Sequence, residues 1–149
     1  MINTLENIVA PPVEVNFNLT IGGEQKKLLM RFNQMTIGTM AALKRIYGEN
    51  KLDQLFKGTL DIELACRILL HHCPVEDIKK LEELLDGVVK GYDFEKKEEI
   101  DMLPNPELKL AHLFGMNDEL FNQVIIETTQ GMTSKKKAPA QDTLKQTGP

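Results

Sequence analysis

The sequence predicts an α+β fold: an N-terminal β-hairpin packed on a small, mainly α-helical bundle, with a disordered C-terminal tail. Three observations carry that prediction. Residues 13–32 alternate apolar and polar on both sides of a Gly-Gly pair. From about residue 36 the apolar period changes from two to steps of three and four. From Thr133 the chain is mostly Lys, Pro, Gln, Thr and Gly with one Leu, too little apolar surface to offset the entropy of ordering. A chain of 149 residues is the size of one ordinary domain. The expected organisation is a lead-in arm at 1–12, one domain at 13–132 and a flexible basic tail at 133–149.

Pro11-Pro12 excludes regular pairing and favours extended backbone in the arm. Val13, Val15, Phe17, Leu19 and Ile21 then face one way, while Glu14, Asn16, Asn18 and Thr20 face the other. Gly22-Gly23 can take positive φ and reverse the chain. The return strand buries Leu28, Met30 and Phe32. A hairpin is marginal alone, so its apolar face must rest on the helices that follow.

Thr36 reads as a helix N-cap. The first helix carries Ile37, Met40, Ala41, Leu43, Ile46 and Tyr47 and stops at Gly48. Leu52, Leu55 and Phe56 predict a short helical turn ended by Gly58. Asp61 caps a helix striped by Leu64, Ala65, Ile68 and Leu69. Pro74 breaks that helix and opens the next at its first position, where Val75, Ile78, Leu81, Leu84 and Leu85 recur up to Gly87. Residues 88–104, with Val88, Tyr92, Phe94, Ile100 and Met102 among Lys and Glu, read as partly helical. Asn105-Pro106 is a cap and first turn for Leu108, Leu110, Ala111, Leu113 and Phe114. Asn117 or Asp118 caps a last helix, closed by Gly131. With only 5% aromatics, the core is expected to be aliphatic. Its methionines fill that core, with Met116 and Met132 the exceptions because they flank the last helix.

The composition excludes more functions than it suggests. Net charge is −4; the tail from 133 has four Lys and one Asp, +3, which leaves the body at −7. That is no nucleic-acid footprint, which needs a basic patch. No run approaches a membrane span, and Met1–Glu6 has no charged start leading into an apolar run, so neither a membrane partner nor a signal peptide is expected. Cys66 and Cys73 lie seven apart; in a continuous helix that is about 10 Å, too far for a disulfide, so both read as buried thiols.

His71-His72-Cys73 invites a metal reading. Adjacent helical residues diverge by about 100°, and zinc sites want a second ligand pair that the chain lacks. A helix C-terminus, where His favours the dipole and Cys73 packs, is the preferred reading. Glu76, Asp77, Glu82, Glu83, Asp86, Glu95, Glu98, Glu99 and Asp101 sit beside lysines and read as solvated helix faces. The one serine, Ser134, lies in the tail, and no nucleophile or phosphate-binding motif is present. No cofactor, metal or catalytic residue is expected, and the chain is read as a non-enzyme.

Two sets of residues remain as partner-binding candidates. Leu120, Phe121, Val124 and Ile125 form the stripe of the last helix, either the last piece of the core or a face for a partner helix. Lys135, Lys136 and Lys137 could attract an acidic partner or simply solubilise the tail. The hairpin edge could also pair with another chain, so a homo-oligomer is possible.

The order of elements has a further meaning. The hairpin is followed by Thr36…Ala41, Leu43…Tyr47-Gly48, then by Leu52…Leu55-Phe56…Gly58 and an aliphatic helix. Pro74-Val75-Glu76-Asp77 leads into Leu81-Glu82-Glu83-Leu84-Leu85-Asp86. This order resembles the tail assembly chaperones of long-tailed, siphovirus-like bacteriophages over roughly residues 13–87; residues 88–132 have no matched counterpart. The resemblance implies a non-enzymatic protein of the host cytoplasm that is absent from the mature virion. It implies binding to the tape measure protein and recruitment of tail tube protein. It also implies a possible longer frameshift product, for which the run Lys135–Lys137 is a suitable site. The rivals are a structural tail or connector component and a small cytosolic protein-binding regulator.

Overall fold

A computed structural model describes residues 10–115 and 117–130. The alternating N-terminal segment forms β1 (Val13–Ile21) and β2 (Glu24–Phe32), antiparallel in a register running from Val13 opposite Phe32 to Ile21 opposite Glu24. Gly22 and Gly23 both take positive φ, 59° and 83°, as a two-residue turn matched to strand twist requires. β2 starts earlier than its apolar residues suggested. Glu24–Lys27 are exposed throughout, so the tip of the hairpin extends past the core. Val15, Phe17, Leu28, Met30 and Phe32 are buried on one face, as the alternation demands.

Three helices follow: α1 (Ile37–Tyr47), α2 (Glu49–Lys57) and α3 (Ile62–Leu70). Thr36 caps α1 reciprocally with Thr39: its hydroxyl accepts from Thr39 N–H at 3.1 Å, and its own N–H donates to Thr39 Oγ1 at 2.7 Å. The stripe expected for α1 needs correction. Met40 and Leu43 are buried, but Ile37 is 79% exposed and Ile46 and Ala41 face solvent as well. The buried pair lies on one side of α1, and its apolar residues are spread round more than that side. The expected short turn at Leu52–Phe56 is a full nine-residue helix, with Gly58 in the left-handed conformation at its end. Asp61 caps α3, accepting from Leu64 N–H at 3.2 Å.

α3 is central, with Ala65, Cys66, Ile68, Leu69 and Leu70 all buried. α4 (Val75–Leu84) follows, and Pro74 is its N-cap rather than its first helical residue. α5 (Pro106–Phe114) starts at the Asn105 cap, whose Oδ1 accepts from Leu108 N–H at 2.9 Å. It packs along α3, tied by Arg67 Nε to Glu107 Oε2 at 2.7 Å and by Asn105 Nδ2 to Glu63 Oε2 at 3.3 Å. The last helix, α6 (residues 118–130), is capped by Asn117, which accepts from Leu120 N–H at 3.0 Å.

Residues 88–104 are not helical, which corrects the sequence reading. They form a second hairpin, β3 (Lys90–Asp93) and β4 (Glu98–Asp101). Three local features override the helix-favouring Lys and Glu. Asp93 Oδ1 accepts from the N–H groups of Glu95 and Lys96 at 2.9 and 3.1 Å, which makes the turn. Lys97 takes a left-handed φ of 56°. Gly91 lies under Met102, where any Cβ would collide with its thioether.

The core is mostly aliphatic, with Phe17, Phe32 and Phe114 buried in it and Phe121 packed against it. Phe114 stands edge-on to both Phe17 and Phe121, at centroid distances of 5.5 and 5.1 Å. Met30, Met35 and Met40 are buried as expected, whereas Met102 is about half exposed. Met116, Met132, the lead-in arm up to Val9 and the tail lie outside the described residues.

Candidate functional site

The residues that invited chemistry are built into the fold. His71 ends α3, and its Nε2 lies 2.7 Å from Tyr47 Oη, with the two rings edge to face. His72 points inward and its Nδ1 lies 3.3 Å from Ile68 O; burial lowers its pKa below the usual imidazole value. Burial likewise pushes the Cys66 and Cys73 thiols up to about 12, so both stay protonated and are poor nucleophiles or ligands. They are free thiols, as expected. No group of three potential metal ligands converges among the described residues.

One carboxylate departs from the solvated role assigned to it. Asp77 is 1% exposed, not on a polar face. Its Oδ2 accepts from both the backbone N–H and Nε of Arg31 at 3.0 Å, and its Oδ1 accepts from Arg31 Nη2 at 2.7 Å. Glu76 stays at the surface, 3.3 Å from Arg31 Nη2. The guanidinium hydrogen bonds hold the Asp77 pKa below its ordinary value despite burial. This fork clamps the first hairpin to α4.

The expected partner-binding stripe on α6 lies mostly inward. Val124 and Ile125 are buried in the core, and Leu120 and Phe121 are half-buried against it. Of the two readings of this stripe, the last piece of the core and a face for a partner helix, the packing matches the first. Lys135, Lys136 and Lys137 lie outside the described residues.

The exposed apolar residue on α6 is Ile126, one step round from the stripe and 60% exposed. It lines a cleft of about 270 Å³ with Phe56 and Gly58 of the α2 end and Asn122 and Ile125 of α6. Phe56 is itself 46% exposed. Leu55 and Lys57 complete its lining, so its walls mix apolar side chains with polar ones. Ile126 is the third apolar residue in the run Val124-Ile125-Ile126, and a run of consecutive apolar residues on a helix must put one outside the buried stripe. A second exposed apolar feature is the aromatic pair Tyr92 and Phe94 on the β3–β4 hairpin, edge to face at 5.0 Å with Phe94 83% exposed.

No protein-family model, curated protein or solved structure matches this chain. None of the described helices is long and apolar enough to cross a membrane.

Proposed function

We propose that this chain is a non-enzymatic tail assembly chaperone of a long-tailed bacteriophage, one that binds the tape measure protein and promotes assembly of tail tube protein around it. The observation that carries a binding role is the cleft flanked by Phe56 and Ile126. Two large apolar side chains held open by well-packed helices suit an exposed apolar segment of a client better than a small substrate. The client itself is named by the resemblance in element order over residues 13–87. On this reading the protein acts in the cytoplasm of the infected host and is left out of the finished particle.

Co-expression tests the proposal. The tape measure protein should stay soluble and co-purify with this chain, and Phe56→Ser with Ile126→Ser should lose that effect while keeping the fold. A tape measure protein that is equally soluble without this chain sinks the reading. Finding the chain in purified virions by mass spectrometry instead favours a structural tail component.

A further inference from the structure

The two outer edges of the first hairpin are treated differently. In a two-residue hairpin the pair flanking the turn, Ile21 and Glu24, exchanges hydrogen bonds, and the pattern then alternates along the ladder. Gln25, Lys27, Leu29 and Arg31 on β2 therefore point their N–H groups outward, as do Glu14, Asn16, Asn18 and Thr20 on β1. The observed bonds agree with this parity: Arg31 N–H donates outward to Asp77, and Asn33 N–H donates to His72 O at 2.7 Å. The β2 edge is thus closed at its base by α4 and the α3 end. Along β1, no described residue bonds to the outward groups of Glu14, Asn16, Asn18 or Thr20. Nine residues of regular edge, with a single charged side chain and no bulge, form a template for another strand.

We propose that β1 pairs antiparallel with β1 of a second copy of this chain, giving a continuous four-stranded sheet in the order β2–β1–β1–β2. The strand is self-complementary about its midpoint, Phe17. A two-fold axis there sets Glu14 opposite Thr20 of the partner subunit and Asn16 opposite Asn18 of the partner subunit. Those are the residues whose N–H and C=O groups point outward, so all four positions pair in this register. On the core face, Val13 meets Ile21 of the partner subunit and Val15 meets Leu19 of the partner subunit. This covers Val13, Leu19 and Ile21, which are only half-buried in one chain. No like charges meet. Pro12, which has the outward parity but no N–H, ends the pairing at one side, and the Gly22-Gly23 turn ends it at the other. The window between them is centred on the axis, so a second copy fits it with every outward group paired.

The test is sedimentation equilibrium of the full chain from ~5 to ~500 µM, a range that brackets small-interface affinities. The expected result is a monomer–dimer equilibrium reaching twice the 16.9 kDa chain mass. Asn16→Pro with Asn18→Pro removes two outward donors and no β1–β2 ladder donor, so the dimer should weaken by roughly a hundredfold, with circular dichroism checking that the hairpin is retained. Thr20 reports the register independently. Thr20→Glu sets a carboxylate against Glu14 of the partner subunit and should weaken the dimer by about three- to tenfold, whereas Thr20→Lys should tighten it by a similar factor. A chain that sediments as monomer over the whole range overturns the proposal. So does a dimer indifferent to both proline and both Thr20 variants. These outcomes do not depend on the chaperone reading, which is read out by client solubility.

Discussion

Replacing Asp77 tests what joins the first hairpin to the helices. The carboxylate is buried and takes three donors from one residue, Arg31. A solvent-exposed pair is worth about 0–1 kcal/mol, and breaking a fully buried one costs about 3–5 kcal/mol. This pair lies between those limits, because the Arg31 side chain is 33% exposed and can rehydrate when its partner is gone. Its backbone N–H cannot turn away, since the strand is held by β1, and a stranded donor costs about 1–3 kcal/mol. Asp77→Ala should therefore destabilise by about 2–3 kcal/mol, lowering Tm by roughly 5–10 °C in a chain of this length. Asp77→Asn keeps an oxygen for that N–H and should cost about half as much.

The charge adds a pH signature. Because the folded pKa of Asp77 lies below the ordinary 3.8, its contribution is fully present above that value and is lost as pH falls through the folded pKa. The stability gap between wild type and Asp77→Asn should thus close only in strong acid. Urea unfolding followed by far-UV circular dichroism across pH measures both effects. Two variants within about 0.5 kcal/mol of wild type at neutral pH would refute the clamp.

Neighbouring isoleucines on α6 should behave oppositely: Ile125→Ala costs about 2–4 kcal/mol because it empties core volume, while Ile126→Ala changes stability by less than about 0.5 kcal/mol. Urea midpoints separate them. His72 is held neutral by burial, so the unfolded chain takes up a proton that the native one resists; stability should fall as pH drops below about 6.5, and His72→Gln should flatten that slope. Cys66 and Cys73 should react with a thiol reagent only as fast as the protein opens, with both thiols titrating at once in urea. Rapid labelling of either in native buffer would place it at the surface.

What was legible in the sequence was what local rules decide. The first hairpin followed from alternation and a Gly-Gly turn, and the Thr36, Asp61, Asn105 and Asn117 caps each followed from a side chain reaching an N–H three residues on. The β3–β4 hairpin was hidden because Lys and Glu favour helix. Its deciding signals are single residues: an aspartate bonding two turn amides, a lysine at positive φ and a glycine with no room for a Cβ. Asp77 was invisible among so many carboxylates because its partner lies 46 residues away, on strand β2. The exposed apolar residues were hidden for a related reason. Periodicity identifies the strongest apolar stripe, and the strongest stripe on a helix is the one the core takes. Ile126 and Phe56 stand out only once the packing shows which apolar residues are left over.

The same logic of remainders applies to backbone groups. Every strand of a two-stranded sheet is an edge strand, so the first hairpin has two rows of outward N–H and C=O groups to satisfy. The fold closes one row where it meets the helices, with a carboxylate at Arg31 and a helix-end carbonyl at Asn33. Those two bonds also set which face of the hairpin meets α3 and α4, since a shift of one residue would turn the N–H groups of Arg31 and Asn33 inward and strand Asp77. The other row belongs to β1. Its side chains alternate without a lysine, a bulge or an internal proline to deter a partner, and Pro12 guards only its end. A sheet that uses a buried carboxylate to close one edge, and whose second edge is regular for nine residues and unpaired among the described residues, has one face built for its own helices and one edge open to the strand pairing proposed above.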